Sequence, residues 1–304
     1  MSIATALPAW ATDILAAVPS RGDGLNRWLL RAAIVLLKCG RSPRETKEEL
    51  RILTAGEFLK VGEIERAVTR APEFITKAGE LPRSQPAKWP EQNNDAIGVL
   101  LKKFDGFGAV DLWEQSPVRW FDDEPHTEEI IDRLFPGNPL ICAAGPLHTA
   151  TTRPREAFRD TLHRAQFIVP SAMAKPFGVT QEGRESPRCL DNVGPRQYLV
   201  VEQDGGTQDQ QAAVIAHLAE RAPLVLVVHS GGKSLHAWFH CAGRAEQVVK
   251  AFFGRAVQLG ADPATWTPCQ LVRMPDGTRQ GKDGARPRQN VLYFNPAASQ
   301  GVSA

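Results

Sequence analysis

Between Arg196 and Pro296 the hydrophobic pattern switches repeatedly between a period of two and a period of 3.6, and that alternation leaves few architectures open. Tyr198 to Val201 is an unbroken apolar, β-branched run of strand length. Gln208 to Arg221 places Ala212, Ile215, Ala216, Leu218 and Ala219 along one side of a helix. Leu224 to His229 is a second buried strand, and Gly231-Gly232 is a turn signal before a third, Leu235 to Phe239. Ala245 to Leu259 reads as a helix closed by Gly260. Gln270 to Arg273 and Asn290 to Phe294 are short strands. The order predicts a β-α-β-β-α-β, ferredoxin-like sandwich over 196–296, and so an α+β fold. That fold hosts many activities, so the chemistry has to come from side chains.

The side chains cluster by type. The first strand ends in Glu202-Gln-Asp204, and alternation puts its two carboxylates on one face. Their repulsion favours a divalent cation between them, and all-oxygen ligation suits Mg²⁺ or Mn²⁺ rather than zinc. The hairpin carries Ser230-Gly-Gly-Lys233-Ser234-Leu-His236, with Ser234 and His236 on a common face. Lys233, Ser234, His236 and Arg273 are the types that hold phosphate oxygens. Gly232-Lys233-Ser234 matches the end of a P-loop, but the first glycine of that motif would fall at Val227, and the segment precedes a strand rather than a helix. A Walker A site is therefore excluded. Taken singly, each residue also has a structural reading: acids at a strand end are commonly solvated, a lone histidine is commonly structural, and Asp262 before Pro263 can cap a turn.

Taken together and in order, these residues resemble the catalytic core of the archaeo-eukaryotic primase superfamily, in the primase-polymerase form carried by mobile elements. The matching motifs are the acid-x-acid of Glu202 and Asp204, the Ser-x-His of Ser234 and His236, the lone Asp262 after the second helix, and the strand Arg273-Met-Pro-Asp-Gly277. Glu202 stands where many relatives have Asp, and Met274 and Asp276 depart from the Arg-Leu-Pro-Gly pattern. The match covers about the last third of the chain. The resemblance implies a core of an α/β subdomain beside an RRM-like palm. It implies that Glu202, Asp204 and Asp262 hold two Mg²⁺ or Mn²⁺ ions, with His236 also at the catalytic centre. Lys233, Ser234, His236 and Arg273 then grip an incoming NTP or dNTP, and the product is a short primer on a single-stranded DNA template.

Upstream, 1–76 predicts a helical bundle: Ala9 to Val18, Leu25 to Lys38, Arg44 to Leu53 with Ser42 as N-cap and Pro43 at the first position, and Gly62 to Val68. Pro82, Pro86 and Pro90 mark a linker at 77–95. The catalytic core is then 96–304, with 96–195 as its α/β subdomain. In that subdomain Ile97 to Phe104, Glu128 to Leu134 after an N-capping Thr127, and Arg155 to His163 read as helices, and Leu140 to Ala144 and Gln166 to Val169 as strands. Arg153, Arg155, Arg159 and Arg164 are either solvated or template contacts. Arg279, Lys282, Arg286 and Arg288 lie in a glycine-rich loop beside the site and are candidate nucleic-acid contacts.

The net charge of +2 is too small for the chain as a whole to attract DNA, so binding has to rest on such local patches. Five scattered cysteines without a CxxC give no zinc or disulfide framework and suit a reducing compartment. With no signal-peptide pattern and no apolar run of transmembrane length, the expectation is a cytoplasmic protein with no membrane partner. No helicase motif is present, so a replicative helicase would be a separate chain. Two other functions compete. A single-stranded nucleic-acid-binding module of RRM-like fold wants aromatics on the sheet face, where this chain has Glu202, Asp204 and His236. A Rep-type nicking endonuclease needs His-x-His and a tyrosine nucleophile, whereas His236 and His240 are four apart and the only tyrosines, Tyr198 and Tyr293, lie in apolar strands.

Overall fold

The structure, a computed structural model, describes residues 7–19, 25–57, 59–77, 89–180, 183–281 and 284–299. It divides into two compact units, Met1–Ala87 with Val179–Glu185, and Lys88–Gly178 with Ser186–Ala304.

The first unit is helical: α1 (Ala9–Ala16), α2 (Leu25–Lys38), α3 (Pro43–Leu53) and α4 (Glu63–Lys77). The apolar stripe of α2 packs Leu29, Ala32, Ala33 and Leu36 against Leu50 of α3 and Ile64, Val68 and Ala71 of α4. The start of α3 is set locally. The Ser42 hydroxyl accepts the Glu45 N–H at 3.2 Å, and the Glu45 carboxylate accepts the Ser42 N–H at 2.8 Å. Helix α4 runs through Pro72 and extends nine residues past the expected end at Val68, to Lys77.

The second unit is mixed α+β. Its elements are α5 (Asn94–Lys103), α6 (Ala109–Glu114), α7 (Thr127–Leu134), β1 (Leu140–Ala144), β2 (Thr151–Pro154) and β3 (Phe167–Ile168). The short strands β4 (Gly178–Val179) and β5 (Glu185–Ser186) pair with each other at the two ends of the Val179–Glu185 segment assigned to the first unit. Then come β6 (Tyr198–Gln203), α8 (Gln208–Ala219), β7 (Leu224–His229), β8 (Leu235–His240), α9 (Glu246–Gln258), β9 (Val272–Arg273) and β10 (Val291–Phe294). Two antiparallel sheets result, in the orders β2-β1-β3-β9 and β10-β7-β8-β6. They share one core, in which Ile141, Ile168 and Val272 of the first sheet meet Val200, Val228 and Trp238 of the second. The other face of the second sheet carries Leu199, Val201, Ala237 and Phe239, and packs on α8 and α9 through Ile215, Leu218 and Phe253. Among the described residues no helix is long and apolar enough to cross a membrane.

The first five elements of the expected sandwich, β6-α8-β7-β8-α9, are present. The sixth is not where a ferredoxin-like sheet puts it, beside the first strand. The expected Gln270 to Arg273 strand is only two residues long and joins the other sheet, pairing with β3. Pro275 follows it and has no N–H with which to continue a ladder. Strand β10 instead adds to the far side of β7, with Phe294 opposite Leu226. Strand β6 is thus left as an edge, met on its open side by a single bridge, Gln203 to Ala261.

Three further expectations meet a different structure. Thr127 is the first residue of α7 rather than its cap, and its hydroxyl donates to the Asp276 carbonyl at 2.8 Å. The carboxylate that caps this helix is also from Asp276, which accepts the His126 N–H at 2.6 Å. The span Arg155 to His163 forms two 3₁₀ turns, Arg155–Phe158 and Leu162–Arg164, because Asp160 between them adopts φ 62°. Residues 78–88 of the proposed linker lie outside the described residues. From Trp89 onward that segment is docked: its ring meets Phe253 at 4.9 Å and Trp266 at 5.2 Å, and the Asn93 N–H donates to Gln258 O at 2.8 Å.

Candidate functional site

Strand register assembles the site. In the β6–β8 ladder Glu202 stands opposite His236, which also stands opposite Val228 of β7. Glu202 follows Tyr198 and Val200 on the face turned to the first sheet, so the pair sits at the rim of the core shared by both sheets. His236 is 3% exposed, and neither of its ring nitrogens makes a hydrogen bond. Its Nε2 is 3.5 Å from Glu202 Oε1, too long for a good bond. Burial, and after it the charges of Arg273, His229 and Arg279, push the imidazole down to about 3, so the ring is neutral. The Glu202 carboxyl is held above its ordinary range, by burial first and then by Asp262. Asp204 adds to this, while Arg273 and a hydrogen bond from Ser234 oppose it.

The exposed edge of β6 is what delivers Asp262. Its N–H donates to the Glu202 carbonyl at 3.0 Å, while its side chain accepts the Ala264 N–H at 2.9 Å and caps the turn Pro263–Trp266. The capping role and the proximity to Glu202 therefore coexist. Asp204 lies just past the strand, exposed, with Lys233 Nζ 3.2 Å from its Oδ2. Lys233 is thus paired with an acid here rather than standing free.

The hairpin loop is closed by Ser230 and Ser234. Ser230 N–H donates to Ser234 O at 2.9 Å, and Ser234 N–H to Ser230 Oγ at 3.1 Å. Gly231 takes φ 69° in the turn. Gly232 has a second reason to be glycine: a Cβ there would collide with Nη1 of Arg279. The Arg279 guanidinium therefore lies against the hairpin turn. Arg273 lies 4.8 Å over the Phe167 ring, and burial lowers its pKa. Neither Arg273 nor Arg279 makes an ion pair among the described residues, so positive charge accumulates beside Ser234 and His236.

The other basic candidates divide. Arg286 is exposed. Lys282 lies outside the described residues. Arg288 is engaged: its guanidinium pairs with the 5% exposed Asp276 (Nη2 to Oδ2 at 2.6 Å) and donates to the carbonyls of Asp123 and Glu124. Arg159 binds Asp132 at 2.9 Å and Glu156 at 2.6 Å, and Arg155 binds the same two carboxylates.

Gln211 is the site residue that sequence reasoning missed. It is 1% exposed, donates to Gly205 O at 3.2 Å and Lys233 O at 3.1 Å, and accepts the Leu235 N–H at 2.9 Å. One amide therefore joins the loop after Asp204 to the Lys233-Ser234 turn. The signal was present: Gln211 shares the apolar stripe of α8 with Ile215 and Leu218, where a polar side chain needs a partner. His229, with Nε2 3.0 Å from Gly232 O, was also passed over.

Among the described residues no three His, Cys, Asp or Glu side chains form a ready-made metal cage. The donor set is nonetheless of the hard-cation type: three carboxylates, of which Glu202 is raised by burial first and then by the charges of Asp262 and Asp204, and a bound cation would offset that repulsion. Mg²⁺ commonly binds through one or two carboxylates plus substrate phosphates rather than in an all-protein cage, so the residues present fit such an ion. Comparison with family models, with curated proteins and with solved structures returned no match.

Proposed function

We propose that this chain is a template-directed nucleotidyltransferase, a primase-polymerase of the archaeo-eukaryotic primase type that makes short primers on single-stranded DNA. The observation that carries the reading is the cross-strand pair of Glu202 and His236, with Asp262 bound to the same strand end and two arginines beside them that have no ion pair among the described residues. Acids on one side and uncompensated guanidinium groups on the other match the charge of a nucleoside triphosphate that meets a primer end.

In this reading Arg273 and Arg279 neutralise the triphosphate, and the Ser234 hydroxyl and loop N–H groups bind its oxygens. Lys233 moves from Asp204 to a phosphate when the nucleotide enters. Neutral His236, with both ring nitrogens unpartnered, donates one hydrogen bond to a phosphate oxygen without adding charge. Glu202, Asp204 and Asp262 would hold two divalent ions, Mg²⁺ or Mn²⁺, which when bound activate the primer hydroxyl and steady the leaving group. The new bond joins the 3′-oxygen to the α-phosphorus, and the bond to pyrophosphate breaks. Rate enhancement comes from positioning and charge neutralisation. The partners are single-stranded template, NTP or dNTP and a separate helicase, in the cytoplasm during replication of a mobile element.

The test is primer synthesis on single-stranded DNA with labelled nucleotides and Mg²⁺ or Mn²⁺, beside Asp204→Ala. Metal-dependent products from the parent and none from the variant support the reading. Binding of the strand without any product would place the chain among non-catalytic RRM-like modules.

A further inference from the structure

At the end of the second sheet remote from His236 there is a small apolar hollow. Leu199 of β6 and Phe239 of β8 form its base, and Phe252 of α9 closes on Phe239 with ring centroids 5.0 Å apart. Val248, 59% exposed, makes one lip. The hollow measures about 160 Å³. Cavities that enclose a small-molecule ligand run to roughly 300–1,000 Å³, so this one takes a single large side chain while its bearer stays outside.

Charge on the rim says what kind of bearer. Arg221 and Arg244 both border the hollow, both are exposed, and among the described residues neither guanidinium has a hydrogen bond or an ion pair. The nearby acids are already engaged: Glu220 pairs with Lys103 at 2.7 Å and Glu246 with Arg196 at 3.4 Å. At the N-terminus of α9, Ala245 supplies no side-chain acceptor, and the first-turn carboxylate of Glu246 is directed to Arg196. A nucleobase in the hollow would press its polar edges against an apolar wall, which is costly. An apolar side chain flanked by carboxylates satisfies both the floor and the rim.

We propose that this hollow docks an acidic peptide segment of a partner protein. One Phe or Leu side chain seats on Phe239 and Phe252, and flanking carboxylates pair with Arg221 and Arg244. Leu199 and Glu202 are three residues apart on β6, about 10 Å along the strand and on opposite faces. Docking therefore leaves the Glu202 face open, and the surface recruits rather than blocks. The inference stands apart from the proposed chemistry, since it uses none of those residues.

The experiment is fluorescence polarisation of the full chain with a labelled heptapeptide carrying a central Phe between aspartate pairs. A peptide with Ser in place of Phe, and a labelled oligothymidine, serve as comparisons. Saturable binding of the Phe peptide, weakened about tenfold by Arg221→Glu or Arg244→Glu and abolished by Val248→Asp, is the expected result; such a loss corresponds to about 1.4 kcal/mol per arginine. All three positions are exposed, so the variants should keep the parent melting temperature. No saturable binding, equal binding of the Ser peptide, or binding untouched by the arginine reversals would overturn the proposal. Oligothymidine binding that alone depends on Arg221 and Arg244 would assign the surface to nucleic acid instead.

Discussion

Glu202 Oε1 and His236 Nε2 face each other across β6 and β8 at 3.5 Å, a half-buried carboxyl held above its usual range against an imidazole held neutral. Replacing Glu202 separates chemistry from stability. Glu202→Gln removes a carboxylate that burial and Asp262 already disfavour, so the variant should melt no lower than the parent. Nucleotide incorporation should nevertheless fall by about 10²–10³, the usual cost of a missing charge-stabilising group. Thermal melting beside an incorporation assay reads both quantities, and full activity in the variant would remove Glu202 from the centre.

The neutral His236 makes a pH prediction. Its folded value, about 3, lies below the ordinary 6.5, so its stabilising contribution is complete above pH 6.5 and is lost as pH falls toward 3. Within that window the slope from this residue approaches about 1.4 kcal/mol per pH unit. Glu202 acts with opposite sign, since its raised value favours the folded state at low pH and that contribution fades as pH rises. Urea unfolding at several pH values, in EDTA, should show a flatter acid limb for His236→Asn and a steeper one for Glu202→Gln.

Gly232→Ala tests the placement of Arg279. The added methyl would displace only the end of a flexible side chain, so stability should change by less than about 1 kcal/mol. Triphosphate affinity should drop to about the level of Arg279→Ala, as measured by calorimetric titration. A variant that binds nucleotide normally would put Arg279 outside the phosphate site.

Gln211→Ala should cost about 2–4 kcal/mol, because it leaves the Gly205 and Lys233 carbonyls and the Leu235 N–H without their partner. Amide exchange should quicken at Leu235, whose N–H that side chain holds. A loss below about 0.5 kcal/mol would mean that the turn holds itself.

The Asp276–Arg288 pair predicts a contrast between neighbours. Asp276→Ala strands a part-buried guanidinium and uncaps α7, and should cost about 3 kcal/mol. Arg286→Ala, at an exposed side chain two residues from Arg288, should stay within about 0.5 kcal/mol. Chemical denaturation of the two variants decides it, and similar costs would contradict the assigned pairing.

Much of this arrangement was legible before any coordinates. The Ser42 cap and Pro43 start of α3, the limits of α2 and β1, and the hairpin of β7 and β8 follow from signals within a few residues. The alternation that put Glu202 and His236 on faces of their own strands is equally local. Nothing local revealed that Arg288 pairs with Asp276 and reaches back to the loop before α7, or that Gln211 links two loops, because those choices are made between segments far apart in the chain.

For α2, α3, α8, α9 and the strands β1, β6, β7 and β8, the sequence by itself determined the element and the side chains it presents, since periodicity and capping are satisfied within a turn or a pleat. Tertiary structure alone decided the sheet order. A two-residue strand stopped by Pro275 pairs with β3, β10 takes the free side of β7, and the edge of β6 is left open for Ala261 and Asp262. The physical reason is that an edge strand's unpaired N–H and C=O groups accept any segment that packing brings near. Which segment arrives depends on how Val272, Val228 and Trp238 fill the shared core, and no window of sequence contains that information.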